Sequence, residues 1–293
     1  MPKNVDVRLL SAKEICTKLS IDAEGILPIR LGTNSLYHLP SVNLVARVHN
    51  ENTVKEQIKS EIMVANRLAH NSVRCAPISC DYPEIYSSEH HQITFWKYIM
   101  PEKRLIGFER KFGELLVSFH DAMTGYLSNF PKFEPLEKAK TRLQYISGFE
   151  QEKKILIEEI ENVEMLLPKT PRYGSTVAVH GDAHLGNVIW SNGDGYLIDF
   201  ESVSIGRADF DIIPMAVTYK RFLQDIEIDT FLDAVIPGLT YQDIPLNLLR
   251  VRELTMITWL GEVASSNPEY GEQFEFRIET LKSNMEFAKW SPK

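Results

Sequence analysis

The sequence predicts an α+β protein of two lobes, a small β-rich lobe over residues 1–99 and a larger, mostly helical lobe over residues 100–293. Short runs of strand-forming residues, separated by turn residues, fill the first third of the chain. Apolar residues at helical spacing dominate the remainder. Strands do not alternate regularly with helices, so a parallel sheet of βαβ units is not expected.

The first lobe is predicted to hold two helices and an antiparallel meander. The capping-box spacing that begins at Ser11 predicts a short helix reaching Leu19, and the one at Thr53 predicts a longer helix reaching Ala69. The predicted strands cover residues 26–31, 35–39, 43–49 and 92–100.

The second lobe begins with an apolar stripe over residues 108–123, which predicts a helix. One long charged helix is expected between about residues 135 and 167. Three short strands follow at residues 176–179, 188–190 and 196–200, and the sequence NGDG at 192–195 predicts a hairpin between the last two. Helices resume from there to the C-terminus.

Composition limits the kinds of partner. The formal net charge is −8 and the chain has no basic stripe, which argues against nucleic acid or an anionic membrane. The three cysteines lack the paired spacing of a zinc site. The N-terminal residues show no cationic run followed by an apolar stretch, so a secretory leader is not expected, and no apolar run reaches about 18 residues. We therefore expect a cytoplasmic monomer or homodimer with a neutral or cationic small-molecule partner.

The strongest chemical signal is HGDAHLGN at residues 180–187, followed by LIDFE at 197–201. Asp182 and Asn187 have the D-x-x-x-x-N separation of the kinase catalytic loop, in which the Asp takes the substrate hydroxyl and the Asn holds Mg²⁺. Asp199 would be the second metal ligand. The alternative interpretation is that these residues only shape a loop. A zinc site at His180 and His184 lacks a third ligand nearby.

The two segments resemble the aminoglycoside phosphotransferase and choline kinase superfamily, whose H-G-D-x-H-x-x-N precedes a hydrophobic-I-D-F/W-E element. The sequence GRADFDI at 206–212 resembles the family's next element, in which Asp211 braces the loop; His180 is given a structural role beside it. The resemblance implies a protein-kinase-like fold and a kinase that uses Mg²⁺ and ATP, or GTP. Its acceptor would be a hydroxyl of a small molecule such as an aminoglycoside-like antibiotic or an amino alcohol.

Two other functions stay open. One is a nucleotide-binding pseudokinase or regulatory module, and the other is a kinase with a protein substrate. No A-P-E element follows Asp199, which argues against the protein kinase.

Candidate nucleotide contacts lie in the first lobe. Arg47 stands where the family places a phosphate-contacting strand residue and protein kinases place a lysine, and Glu61 is its candidate partner. Glu61 on a solvated helix face is the alternative. LGTNSLY at 31–37 resembles the family's nucleotide-cradling turn, although an ordinary hairpin turn is also consistent with it. The residues implied in that turn are Gly32, Thr33, Asn34 and Ser35.

The adenine is expected at the link between the lobes. Backbone groups of Lys97, Tyr98 and Ile99 would meet its edge, and Ile189 would form its floor. These side chains also suit a plain core.

The acceptor is expected near residues 247–264, where Trp259, Glu262 and Glu253 recur at helical spacing and Glu269 and Glu272 follow. An aromatic face with carboxylates suits an ammonium-bearing substrate. The alternative places Trp259 in the core and leaves the glutamates solvated.

Overall fold

The computed structural model describes residues 6–104, 107–167, 176–223, 225–282 and 287–291. The chain divides into two compact units. Unit 1 contains Met1–Leu105 and Asn187–Glu201, and unit 2 contains Ile106–Gly186 and Ser202–Lys293. The segment that carries Asp199 is therefore folded with the N-terminal strands, whereas Asp182 belongs to the second unit.

Unit 1 is built on a five-stranded sheet in the order β1-β2-β3-β5-β4, with every pair antiparallel. The predicted antiparallel meander is thus confirmed. The fully buried side chains of Tyr37, Ala46 and Phe95 lie on the face that packs against the first helix. The strands are β1 Leu27–Arg30, β2 Ser35–Leu39, β3 Leu44–Val48, β4 Tyr86–Ser87 and β5 Gln92–Lys97.

Two helices accompany this sheet, α1 Val7–Lys18 and α2 Lys55–His70. The capping residue predicted for each helix is wrong. Asp6 caps α1, because its carboxylate accepts the N–H groups of the two residues that follow Val7, and Ser11 lies buried inside the helix with its hydroxyl 2.9 Å from a histidine ring. The residue before α2 is Val54, which has no side-chain cap.

The predicted hairpin connects β7 Val188–Ser191 and β8 Asp194–Leu197. Asn192 and Gly193 both have positive φ, 50° and 78°, as a two-residue turn of this hand requires. The hairpin is joined to the rest of unit 1 by backbone hydrogen bonds of Leu197, whose N–H donates to Arg74 O at 3.1 Å.

Unit 2 is mostly helical. Its helices are α3 Phe108–Met123, α4 Glu137–Leu143, α5 Glu150–Leu166, α6 Asp209–Arg221, α7 Ile228–Val235, α8 Leu246–Ser266 and α9 Gly271–Lys282. Its strands, β6 Thr176–Val179 and β9 Ser204–Arg207, pair antiparallel. The prediction of one helix over residues 135–167 is wrong. The segment is broken between α4 and α5, where Gly148 has a φ of 78° that a right-handed helix does not allow.

The three cysteine thiols differ in exposure. Cys16 and Cys75 are buried and Cys80 is exposed. Burial raises the pKa of Cys16 to about 11 and that of Cys75 to about 12. Among the residues that the structure describes, no helix has both the length and the apolar composition needed to cross a membrane.

Candidate active site

The loop after β6 is held by a buried carboxylate. Asp211, at the start of α6, accepts the backbone N–H of His180 at 2.7 Å and that of Gly181 at 2.8 Å. The ring of His120 on α3 lies 2.9 Å from the same carboxylate. Gly181 has a φ of 78°, and a Cβ there would clash with the carbonyl oxygen of Ser202, so this position requires glycine. The backbone immediately before Asp182 is therefore tightly fixed.

Asp182 faces cationic neighbours within unit 2. Its Oδ1 lies 2.7 Å from Nη1 of Arg252 on α8, and its Oδ2 lies 3.5 Å from Nε2 of His184. Burial alone would raise the pKa of Asp182, but His184 and Arg252 outweigh it and hold that pKa below its usual range. Asp182 is therefore a carboxylate at physiological pH.

The orientation of His184 follows from a second contact. Its Nδ1 accepts the backbone N–H of Gly186 at 3.0 Å. In a neutral imidazole the hydrogen then lies on Nε2, the nitrogen that faces Asp182. The neutral ring of His184 is thus oriented to donate toward this carboxylate.

Unit 1 contains a second charged cluster, centred on Arg47 of β3. Its Nη1 lies 2.7 Å from Glu61 on α2, and its Nη2 lies 3.2 Å from Asp199 and 3.1 Å from Glu201. One guanidinium is thus shared by three carboxylates. Within the described part of the chain, Arg47 Nε has no hydrogen-bond partner although it is buried.

This sharing explains why the pKa values of Arg47 and Glu61 both rise. Burial lowers the pKa of Arg47, but three surrounding carboxylates outweigh it. Burial raises the pKa of Glu61 to about 7, because Arg47 offsets it only partly while Asp199 and Glu201 add repulsion. The cluster carries an excess of negative charge that another cation would relieve.

The ends of the β7–β8 hairpin bring the backbone at Asn187 next to the residue that precedes Asp199. The N–H of Ile198 donates to the carbonyl of Asn187 at 3.1 Å, and the next residue, Asp199, leaves the strand with a φ of 68°. The predicted strand to residue 200 therefore ends early. Aspartate tolerates this left-handed backbone better than most residues. An amide oxygen and a carboxylate are ligands that Mg²⁺ accepts, so both residues fit the predicted metal site.

The turn between β1 and β2 contacts the same cluster. Asn34 donates from its amide to Glu201 at 3.0 Å and accepts the backbone N–H of Asn50 at 3.0 Å. Arg8 donates to the carbonyl of Gly32 and to the hydroxyl of the buried Ser35. Thr33 is exposed. A Cβ on Gly32 would meet nothing closer than 3.9 Å, so the fold itself does not require glycine there.

The proposed adenine contacts are only partly available. The N–H of Lys97 donates to Pro77 O at 3.0 Å, and the N–H of Tyr98 donates to Asn43 O at 3.1 Å. Among the three residues whose backbone groups were predicted to meet the adenine, Ile99 is left as the candidate N–H donor. Ile189, on β7, is half-buried.

The substrate residues predicted on α8 have different surroundings. Glu253 is fully buried among cations, 2.7 Å from Arg221, 2.8 Å from Arg250 and 3.2 Å from Lys220. The expectation that Glu253 faces substrate or solvent is therefore wrong, because three cations hold it in the core.

Two other predicted substrate residues on α8 remain at the surface. Trp259 is 40% exposed, and Glu262 lies 3.7 Å from Nε of Arg142.

Sequence reasoning does not single out four charged or polar residues that the structure places in these clusters. They are His120, Arg142, Glu201 and Arg252. Glu201 lies within a recognised motif, so that motif could have indicated it. The other three lie in helices without a local motif.

The fold, together with the motif segments at residues 180–187 and 197–201, is that of a kinase-like phosphotransferase. The structure is similar to amicoumacin kinase hAmiN in complex with AMP-PNP, Ca²⁺ and Ami, with TM-score 0.74 and 13% identity over 99% of this chain and 98% of that one. It is also similar to a choline/ethanolamine kinase family protein from Mesorhizobium loti, with TM-score 0.66 and 16% identity over 94% and 96%. These identities establish the protein-kinase-like fold alone.

A third similar structure is the GDP complex of aminoglycoside 2'-phosphotransferase-IIIa, with TM-score 0.62 and 13% identity over 96% of this chain and 99% of that one. No curated protein matches the sequence. The phosphotransferase enzyme family matches residues 32–242, and the chain belongs to that family. It is accordingly a phosphotransferase with an alcohol group as acceptor.

Proposed function

We propose that the protein is a Mg·ATP-dependent kinase that transfers the γ-phosphoryl group to a hydroxyl of a small molecule. The observation that carries this proposal is the pair of intact loops, with Asp182 on a braced turn in unit 2 and Asp199 beside Asn187 in unit 1. AMP-PNP in the amicoumacin kinase complex supports ATP. GDP in the aminoglycoside 2'-phosphotransferase complex makes GTP the alternative nucleotide.

Asp182 has the role of holding the acceptor hydroxyl. Its carboxylate is ionised and 30% exposed, so it can accept a hydrogen bond from an alcohol. A carboxylate with a lowered pKa is a weak base, which suits a reaction whose transition state is loose and requires little proton removal before phosphoryl transfer. Its contribution is then mainly orientation of the attacking oxygen.

Arg47 and Glu61 have the role of binding nucleotide phosphate. Arg47 keeps its charge, its Nε–H has no hydrogen-bond partner among the described residues, and Glu61 fixes the guanidinium through Nη1. A fork of N–H donors matches phosphate oxygens well, so arginine can serve where protein kinases use lysine.

Asn187 and Asp199 are the residues that would hold Mg²⁺, with Glu201 close to Asp199 through Arg47. When bound, the ion neutralises charge on the nucleotide phosphates. Gly32, Thr33, Asn34 and Ser35 are assigned to the phosphate-side turn, and Ile99 and Ile189 to the adenine. The open space beside Gly32 supports this assignment of the turn.

An amine on the acceptor, as in an aminoglycoside-like antibiotic or an amino alcohol, is a second element of the proposal. It is supported by the similarity to an aminoglycoside phosphotransferase and to a choline/ethanolamine kinase family protein, and by the exposed side chain of Trp259. Glu262 is a weaker support because it already faces Arg142.

The test is a screen of aminoglycosides, other cationic antibiotics, amino alcohols and sugars with ATP and with GTP. The readout is phosphorylated product together with nucleoside diphosphate. We expect at least one alcohol to be phosphorylated by the wild-type chain and not by Asp182→Asn. Tight nucleotide binding without transfer to any acceptor, in that screen and in the hydroxy-acid series below, would instead favour the regulatory-module alternative.

A further inference from the structure

Two arginines of unit 2 are placed beside the residue that receives the acceptor. Arg252 contacts Asp182 directly at 2.7 Å. Arg142, on α4, donates from Nη1 to the carbonyl of Thr255 on α8 at 2.9 Å, which fixes its guanidinium on the same helix that carries Arg252. The protein as a whole has a formal net charge of −8, so a pair of cations at this position has to be explained.

A structural role for Arg252 is the simplest explanation, but helix α8 argues against it. Arg250, two residues earlier, has such a role, since it is buried and bonded to the buried Glu253 at 2.8 Å. Arg252 and Asp182 instead keep 23% and 30% of their side chains exposed. Ion pairs that stay partly exposed contribute little to stability, about 0–1 kcal/mol for pairs at the surface.

The charges around Arg142 also favour a bound anion. The carboxylate of Glu262 lies 3.7 Å from Nε of Arg142, which is too long for a hydrogen bond. Burial lowers the pKa of Arg142 and the positive charge of Arg252 lowers it further, whereas Glu262 and Asp182 oppose that shift. The two guanidinium groups thus repel each other, and an oxyanion beside them would remove that repulsion.

A third cation lies on the same helix as Arg142. Lys138 is one turn earlier on α4 and donates from Nζ to the hydroxyl of Ser202 at 2.8 Å. The carbonyl of Ser202 is the group that crowds Gly181, immediately before Asp182. The backbone on this side of the loop is therefore also near a positive charge.

We infer that Arg252 and Arg142 bind an oxyanion group of the acceptor, so that the substrate is an alcohol that also carries a carboxylate or phosphate close to the reacting hydroxyl. This inference rests on the proposed function, because it uses Asp182 as the hydroxyl-binding residue. When the acceptor hydroxyl binds to Asp182, the oxyanion of the acceptor takes the place of Asp182 as the partner of Arg252. The forked guanidinium suits either a carboxylate or a phosphate.

The experiment uses four alcohols of one chain length and the full-length protein with Mg·ATP. Homoserine carries an acid and an amine, 4-hydroxybutyrate only the acid, 4-amino-1-butanol only the amine, and 1-butanol neither. Glycerol 3-phosphate and glycerol form a further pair that separates phosphate from carboxylate. Product formation is measured for each compound, and binding is measured separately by calorimetry.

We expect the acid-bearing compounds to be preferred over their matched neutral alcohols. Arg252→Ala should reduce that preference by about 10- to 100-fold, the effect of losing a charged hydrogen bond. Arg252→Lys should keep part of it, because the charge stays and the fork is lost. Arg110→Ala is the matched control, since Arg110 forms an exposed pair with Asp233 at 3.3 Å in the same unit.

Three results would overturn this inference while the kinase proposal stands: a preference for the amine-only or neutral alcohols, an equal loss of turnover for all acceptors in Arg252→Ala, or a loss of Mg·ATP affinity in that variant. If acid-bearing probes bind through Arg252 but none is phosphorylated, here or in the screen above, the inference stands and the kinase proposal fails. If none of them binds at millimolar concentration, the inference is wrong.

Discussion

The two charged clusters have opposite compositions. In unit 1 one arginine, Arg47, is shared by three carboxylates, whereas in unit 2 one carboxylate, Asp182, faces Arg252 and His184. A cluster in which carboxylates outnumber cations is suited to receive a cation, and one in which N–H donors outnumber carboxylates is suited to receive an anion. Ion-pair chemistry of the same kind therefore favours opposite ligands in the two units.

Removal of the charge at Asp199 should have the largest effect. The variant Asp199→Asn keeps a residue that tolerates the left-handed backbone, which alanine would not. Because the metal's charge stabilisation is worth several kcal/mol, we expect turnover to fall by more than about 10³-fold. Titration of ATP with and without Mg²⁺ should show that the Mg²⁺-dependent part of binding is lost.

Asp194→Asn is the matched control for this variant, since Asp194 lies on the same hairpin and pairs with Arg74 at 3.3 Å at the surface. If Asp199→Asn bound Mg·ATP like the control, the metal assignment would be wrong.

Asp182→Asn should reduce turnover by about 10² or more and leave Mg·ATP affinity nearly unchanged, as expected for a positioned acceptor of a hydroxyl proton. The exposed Asp121→Asn serves as the control in the same unit. Steady-state kinetics and calorimetry on one preparation separate the two effects. Full phosphotransfer by Asp182→Asn would contradict the different roles proposed for the two clusters.

Arg47→Ala should weaken nucleotide binding by about 1–3 kcal/mol, because a charged hydrogen-bond donor is lost. Arg74→Ala, at the exposed pair with Asp194, is the control. The same calorimetric titration measures both. Unchanged affinity in Arg47→Ala would show that the arginine serves only the three carboxylates.

The last prediction concerns the pH dependence of stability. The pKa of Glu61 is about 7 in the folded protein against an ordinary value of 4.5, so the folded state binds more protons between these values. The free energy of unfolding should therefore fall as pH rises from about 4.5 to about 7, by up to about 1.4 kcal/mol per pH unit from this group. Urea unfolding of wild type and Glu61→Gln should give a smaller fall in the variant.

The control for the pH experiment is Glu56→Gln on the exposed side of the same helix, where Glu56 lies 3.6 Å from Lys59. Parallel pH profiles for wild type and Glu61→Gln would mean that Arg47 compensates the burial of Glu61 completely.

Local patterns predicted the features that depend on nearby residues. Short runs of strand-forming residues separated by turn residues predicted the antiparallel sheet, and Asn192 and Gly193 predicted the hairpin, because strand propensity and turn chemistry act over a few residues. The same local reasoning failed at Ser11, where Asp6 is an equally good cap five residues earlier.

The charges that surround Asp182 could not be predicted. Arg252 follows Asp182 by 70 positions, and only the packing of α8 brings them together. Glu253 shows the same limit, because it was expected to face substrate or solvent and is buried. Neighbouring positions on one helix face different surroundings, so helical spacing alone could not tell the buried Glu253 from the partly exposed Arg252.

The three thiols of unit 1 differ in exposure, so thiol labelling can report whether this unit has opened. A thiol reagent should modify only Cys80 in the native protein, because Cys16 and Cys75 are buried and remain protonated. Each additional adduct seen by mass spectrometry then reports a molecule whose first unit has opened. Labelling rates therefore distinguish a variant of unit 1 that has lost its chemistry from one that has lost its structure.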